Sequence, residues 1–134
     1  MKTRIYNEGQ LIKERLAEIS DYIYNNPEVG NEEYKAVEAL TTFLKEHNFQ
    51  VECPIADMDT AFKATFDSGK PGMTIGYLCE YDALPKIGHG CGHNMIGVMS
   101  SGAAVALSKV LDEIGGKIIV YGTPAEETNG GKVI

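Results

Sequence analysis

The segment "GHGCGHN", residues 88–94, gathers a cysteine and two of the chain's three histidines on glycine-rich backbone. Cys91 and His93 stand two positions apart, and a thiolate and an imidazole at this spacing can converge on one transition metal ion if the backbone is not helical. The three glycines permit such backbone angles. The same pattern also fits a loop entering a helix, with a buried thiol and a surface imidazole, so the segment alone leaves both interpretations open.

A second polar cluster, "PAEETNGG" at residues 124–131, contains the adjacent acids Glu126 and Glu127. Adjacent glutamates are common on solvated surfaces. Here they follow a predicted buried strand and lie in a loop, where neighbouring side chains can diverge. One carboxylate could bind a metal while the other takes a proton from a metal-bound water, as metal-assisted hydrolysis requires. Spacing does not decide which glutamate has which role.

Two further acids precede the first cluster. Asp82 lies at the end of a predicted strand and is either a turn or cap acid or an acid that orients a histidine ligand. Glu80 falls on the same face of that strand and could share its edge. His89 could be a metal ligand, a substrate contact or a loop histidine, and the last two interpretations are favoured.

Hydrophobic periodicity predicts the elements that must position these residues. Helical spacing predicts helices over 9–25, 31–47 and 94–116, the second capped by Asn31 with Glu32 and Glu33 in its first turn. Extended segments are predicted within 49–53, 60–68, 73–85 and 117–123. This order predicts an α/β fold, with a mixed sheet covered by helices. Both polar clusters follow the carboxyl ends of strands, where sites gather in open α/β sheets.

Composition limits the class of protein. The chain has 134 residues, of which 43% are hydrophobic and 23% charged, as in one globular domain. A net charge of -7 disfavours a nucleic-acid partner, and no apolar stretch approaches the roughly 18 residues of a membrane span. Three cysteines without framework spacing predict free or metal-bound thiols in a reducing cytoplasm. The apolar run that begins in "GGKVI" predicts that the chain is a fragment of a longer protein.

Together the motifs resemble a known family. "CEYDALPKIGHGCGHN" at residues 79–94, followed by "GTPAEETNGG" at residues 122–131, is similar to the M20 metallopeptidase and amidohydrolase family. Within that family the chain resembles the amidohydrolase branch, subfamily D, including dipeptidase-like and aminobenzoyl-glutamate hydrolase types. The resemblance extends from about residue 10 to the end of the chain, and the two motifs in this order are highly specific.

The resemblance implies a role for each matching position. Cys91, His93 and Glu127 fall on metal ligands, Glu126 falls on the general acid/base, and Asp82 falls on a catalytic-site acid near the metal. The family site usually holds two divalent ions, which the donor types allow to be zinc, or manganese, cobalt or nickel. The resemblance also implies a zinc-peptidase-like α/β domain bearing an inserted lid domain that often dimerises.

Some parts of the family pattern are missing from this sequence. The lid domain and the family's later histidine ligands are absent, so residues 1–134 are expected to be the incomplete N-terminal part of the catalytic domain. Asn94 stands where the amidohydrolase branch often has aspartate, as in a dipeptidase-like subgroup. We expect this fragment alone to be inactive.

The expected function of the parent protein is that of a cytoplasmic, metal-dependent hydrolase that cleaves a small amide or peptide bond through a metal-bound water. A dipeptide, an N-acyl amino acid or an aminobenzoyl-glutamate-like compound is the expected substrate. Nucleic acid and membrane are not expected partners, and a homodimer through the missing lid domain is possible. The alternative is a non-catalytic metal-binding module or an inactive fragment of such an enzyme.

Overall fold

The computed structural model describes residues 1–134. It contains helices α1 (Lys2–Asn25), α2 (Tyr34–Glu46), α3 (His93–Ser108) and α4 (Leu111–Ile114), and a short 3₁₀ turn at Gly131–Val133. Its strands are β1 (Gln50–Glu52), β2 (Phe62–Asp67), β3 (Thr74–Cys79) and β4 (Lys117–Gly122). The predicted α/β class is therefore confirmed.

The strands form one mixed sheet in the order β1-β2-β4-β3. β2 is antiparallel to both β1 and β4, whereas β3 is parallel to β4, with Cys79 opposite Gly122 at their last pair. A parallel pair needs a crossover connection, and α3 supplies it. Because the carboxyl ends of β3 and β4 lie side by side, the two polar clusters that follow them meet at one edge of the sheet, as the sequence predicts.

The helices cover one face of this sheet. On β4, Ile118 and Val120 are completely buried beneath them, while Tyr121 on the opposite face is 36% exposed. Leu78 on β3 is exposed on that same open face. The expectation that β4 is a buried strand therefore holds for only one of its faces.

The core between the helices and the sheet is built from large apolar side chains. Burying a leucine or phenylalanine side chain contributes about 1.5–3 kcal/mol, so this cluster is a main source of stability. Its fully buried members include Leu40, Phe43, Leu44, Phe62 and Val120.

Helix α3 packs closely on the end of β3. A Cβ atom at Gly97 would lie 2.8 Å from the carbonyl oxygen of Glu80, so only glycine permits this approach. The Ser100 hydroxyl donates a hydrogen bond to the carbonyl oxygen of Leu78 over 2.5 Å. This close packing brings the start of α3 over the carboxyl end of β3.

The first and third helices differ from their predicted bounds. α1 begins at Lys2 rather than near residue 9. The apolar side chains of Tyr6 and Leu11 in its first turns are exposed, so this part of the helix has no buried apolar face. The third predicted helix is interrupted between Ser108 and Leu111. None of the helices combines the length and apolar character needed to cross a membrane.

The start of α2 also differs from its prediction. Asn31 has a left-handed φ of 69° and does not cap the helix, which begins at Tyr34. Instead, the Glu28 carboxylate accepts hydrogen bonds from the backbone N–H groups of Lys35 and Ala36 over 2.9 to 3.1 Å. An acid six residues before the helix thus satisfies two of its orphan donors.

Candidate metal centre

His93 is the first residue of α3 and follows Gly92, whose φ of 78° is left-handed. Its Nδ1 atom lies 2.9 Å from Asp82 Oδ1 and 3.0 Å from the Asp82 carbonyl oxygen. Because a carbonyl oxygen only accepts hydrogen bonds, Nδ1 carries a proton, and Nε2 is the ring nitrogen left to bind a metal ion. A metal-binding histidine is commonly held in this way by an acid on its other nitrogen.

Three carboxylates surround the Nε2 atom of His93. Glu80 Oε2 lies 3.5 Å from it, and Glu126 Oε2 and Glu127 Oε1 each lie 3.8 Å from it. One donor atom from each of Glu80, His93 and Glu126 lies within 4.8 Å of the others. Oxygen and imidazole donors at this spacing suit a divalent cation, which would also offset the repulsion among the acids.

Asp82 joins the elements that form this centre. Its side chain is fully buried, and its two oxygens have different partners. Oδ1 faces His93 at the start of α3, while Oδ2 accepts a hydrogen bond from the backbone N–H of Glu127 over 3.0 Å. Asp82 therefore contacts both the ring of His93 and the backbone of the loop after β4.

Cys91 lies beside the same acids with an exposed side chain. Hydrogen bonding to the Glu127 carboxylate raises the pKa of the Cys91 thiol, and the charges of Asp82 and Glu126 add to this effect. A divalent cation reverses such a shift, because it stabilises the thiolate that binds it. The group of donors that lie within 4.8 Å of one another nevertheless includes neither Cys91 nor Glu127.

Lys132 is a member of the centre that the sequence did not indicate. Its Nζ atom lies 2.7 Å from Glu80 Oε1 and 2.9 Å from Glu126 Oε1. Hydrogen bonds to these two carboxylates raise the pKa of Lys132. No local pattern marks this lysine, because it reaches the acids only through the fold of the loop, in which Gly131 N–H binds the Pro124 carbonyl oxygen.

The two adjacent glutamates differ in their neighbours, although both are 3.8 Å from His93 Nε2. Glu126 is bridged by Lys132 to Glu80. Glu127 is held through its backbone by Asp82, and its side chain contacts Cys91. The side chains do diverge, so the pair can perform two roles.

The other candidates from the sequence lie around this centre. His89 is buried in the loop before α3, and burial, together with the neighbouring His93, lowers its pKa. It lines a groove of about 530 Å³ together with Cys91 and Tyr24. Of the other two cysteines, Cys79 is buried in the core, whereas Cys53 is exposed.

Comparison with known proteins identifies relatives over most of the chain. It is 39% identical to the Xaa-Arg dipeptidase of Mus musculus, a match that spans 90% of the chain and 31% of that protein. It is 35% identical to one of the subunits of the p-aminobenzoyl-glutamate hydrolase of Escherichia coli strain K12, over 90% of the chain and 28% of that protein. The chain thus spans about a third of the length of these curated relatives.

The fold is also that of a solved enzyme structure. A dinuclear metal-binding peptidase of the M20 family from Bacillus subtilis superimposes with a TM-score of 0.79 at 22% identity, over 90% of this chain and 38% of that one. No family model matches the sequence. The relatives, the shared fold and the two motifs nevertheless agree, and they show that the chain belongs to the M20 family of metallopeptidases and amidohydrolases.

Proposed function

We propose that this chain carries part of the active site of a metal-dependent hydrolase that cleaves a small amide or peptide bond. The observation that carries the proposal is the Asp82–His93 pair. It holds the imidazole so that Nε2 faces the carboxylates of Glu80, Glu126 and Glu127. A surface cluster of acids would not need a buried aspartate to fix one histidine tautomer.

Cys91, His93 and Glu127 are the proposed metal ligands. Their support is that Glu127 contacts the Cys91 thiol and lies on the Nε2 side of His93. Asp82 positions both His93 and the backbone of Glu127. Glu80 lies nearer to Nε2 than either glutamate of the pair, so it is a further candidate ligand that the sequence only placed at this edge.

Glu126 is the proposed general acid/base. A bound divalent ion supplies Lewis acidity, which polarises the substrate carbonyl and lowers the pKa of water. Glu126 takes the proton of the attacking water and passes it to the leaving amine. Its contact with Lys132 holds the carboxylate at the edge of the ligand group.

The ion content and substrate are proposed from the relatives. Two divalent ions are proposed because the similar Bacillus subtilis peptidase is described as dinuclear, with zinc, manganese, cobalt or nickel compatible with these donors. A dipeptide, an N-acyl amino acid or an aminobenzoyl-glutamate-like amide is the proposed substrate, since the matched relatives are a dipeptidase and an aminobenzoyl-glutamate hydrolase.

The domain to which the chain belongs and its oligomeric state are proposed from the same resemblance. Residues 1–134 are proposed to be an incomplete part of the catalytic domain, and a homodimer through a lid domain stays a prediction. A cytoplasmic location is proposed because all three cysteines are free and a ligand thiol must stay reduced.

The test compares Glu126→Gln with Glu127→Gln in the protein produced from its complete reading frame. Both changes remove one charge from adjacent positions, so each is the control for the other. Glu126→Gln is expected to keep its metal, measured by elemental analysis, and to lose turnover of dipeptides by about 10²- to 10⁴-fold. Glu127→Gln is expected to lose metal as well as turnover.

The outcomes test the roles of Glu126 and Glu127 separately from the proposed hydrolase activity. Near-normal turnover by Glu126→Gln would show that another group is the base. If Glu126→Gln loses metal and Glu127→Gln keeps it, the roles of the two glutamates are the reverse of those proposed. A wild-type protein that takes up metal but cleaves none of the dipeptide, N-acyl amino acid and aminobenzoyl-glutamate substrates would support the non-catalytic alternative.

A further inference from the structure

Residues 28–33, in the segment between α1 and α2, contact the loops that follow both β3 and β4. The Glu28 carbonyl oxygen accepts a hydrogen bond from Ala83 N–H over 2.8 Å, next to Asp82. A Cβ atom at Gly30 would lie 2.9 Å from Ala125 Cα, next to Glu126. The chain therefore passes directly against both parts of the metal centre without contributing a ligand to it.

Glu33, at the end of this segment, is a fully buried carboxylate. Its Oε1 accepts a hydrogen bond from Ala125 N–H over 2.8 Å, and its Oε2 accepts one from the Thr60 hydroxyl over 2.7 Å. Thr60 is itself anchored, because its carbonyl oxygen accepts the hydrogen bond of the Tyr81 hydroxyl over 2.5 Å. A buried carboxylate is costly unless it is hydrogen-bonded, and here both oxygens have partners.

Ala125 is the residue on which this carboxylate acts. Its φ of 56° lies in the left-handed region that residues with a side chain rarely adopt. The backbone is held there from both sides, since Glu33 binds the N–H and Gly130 N–H binds the carbonyl oxygen over 2.8 Å. The direction in which Glu126 and Glu127 leave the loop is set by this backbone conformation.

We propose that Glu33 is a positioning residue, which fixes Ala125 and thereby aims the carboxylates of Glu126 and Glu127 at His93. The role requires the reach of the glutamate side chain to the Ala125 N–H. The inference rests on the proposed function for its effect on turnover, but its effect on the loop stands on the hydrogen bond alone.

Two conservative variants distinguish the effect of the length of the Glu33 side chain from the effect of its charge. Glu33→Gln keeps the side-chain length and an oxygen that can accept from Ala125, but it has no charge. Glu33→Asp keeps the charge, but it is one methylene shorter and withdraws from Ala125. Phe43→Leu, a change in the fully buried core on α2, is the control for a general loss of stability.

The protein from its complete reading frame is measured in two ways. Amide hydrogen exchange reports the protection of Ala125 N–H, and steady-state kinetics with a dipeptide report kcat and KM. Glu33→Asp is expected to exchange Ala125 at least about tenfold faster and to lower kcat on the order of 10- to 100-fold with little change in KM. Glu33→Gln is expected to stay within about threefold of wild type in both, and Phe43→Leu is expected to keep kcat.

Two other results would overturn the proposal. Loss of kcat in Glu33→Gln but not in Glu33→Asp would assign the effect to charge. If Glu33→Asp speeds the exchange of Ala125 only as much as the general loss of stability in Phe43→Leu does, Glu33 has a purely structural role. If the wild-type protein cleaves no amide, the proposed function fails separately, and the exchange of Ala125 still decides whether Glu33 positions the loop.

Discussion

The Glu33 carboxylate has a consequence for stability that is separate from its effect on the loop. Burial raises the pKa of Glu33 from its ordinary value of 4.5, and the hydrogen bonds from Thr60 and Ala125 offset only part of that rise. Between 4.5 and the raised value, the folded protein binds more protons at this site than the unfolded chain. Stability therefore falls as pH rises through that window, and the cost is fully present above it.

Glutamine does not titrate, so Glu33→Gln removes this pH dependence. The difference in free energy of unfolding between Glu33→Gln and wild type is expected to grow in favour of the variant as pH rises from about 4 to neutral, and then to level off. Urea unfolding at a series of pH values measures it. Glu38→Gln, an exposed change on α2, is the control and is expected to show no such trend. A difference for Glu33→Gln that does not vary with pH would contradict the assignment of the cost to a buried charge.

The same residue shows where prediction from the sequence ends. Glu32 and Glu33 are adjacent and chemically identical, and the sequence assigns both to the first helical turn. In the structure Glu32 is exposed and Glu33 is completely buried. Nothing local distinguishes them, because the difference comes from Thr60 and Ala125, which reach Glu33 from distant parts of the chain.

At the scale of elements, the sequence predicts most of what brings the site together. The apolar strands β3 and β4 and the small-residue helix α3 follow from periodicity and composition. Their parallel pairing follows from the crossover, so the meeting of Asp82 and His93 with the loop after β4 could be predicted. The contacts of Glu80 and Lys132 could not, because they depend on side-chain directions within loops rather than on an element's period.

Asp82 is the point at which β3, α3 and the loop after β4 are joined, so its replacement should disturb the centre more than the fold. In Asp82→Asn one side-chain oxygen becomes an NH₂ group, which cannot accept from His93 Nδ1–H or from Glu127 N–H. Metal affinity is expected to fall about 10- to 100-fold while the protein stays folded. Titration with Mn²⁺ or Zn²⁺ followed by calorimetry measures the affinity, with circular dichroism to report the fold.

A matched control for this change is Asp67→Asn, at the far end of β2, where the carboxylate pairs with Lys117 over 3.0 Å. It removes the same charge from the protein and should leave metal affinity unchanged. Equal loss of affinity in the two variants would show that net charge, rather than the orientation of His93, controls binding. Unaltered affinity in Asp82→Asn would remove Asp82 from the role of orienting acid.

At the scale of the whole molecule, the distribution of charge matters more than its total. The chain has a net charge of -7, and part of that excess is concentrated at one edge of the sheet. Glu80, Glu126 and Glu127 converge on His93 Nε2 with the buried Asp82 behind the ring, and Lys132 is the cation bound directly among them. Carboxylates held this close repel one another, and the single charge of Lys132 cannot balance all of them.

The folded protein should therefore be stabilised by divalent ions well beyond the effect of ionic strength. An ion that binds only the folded state at about 100 times its dissociation constant adds about 2.7 kcal/mol to the free energy of unfolding. Thermal unfolding with Mn²⁺ or Zn²⁺ is expected to show a midpoint several degrees higher than with NaCl of equal ionic strength, and a chelator should reverse the increase. Glu127→Gln should lose most of this increase, whereas Glu46→Gln, an exposed change at the end of α2, should keep it. The same increase in Glu127→Gln as in wild type would show that Glu127 does not bind the stabilising ion, because Glu80, His93 and Glu126 lie together without it.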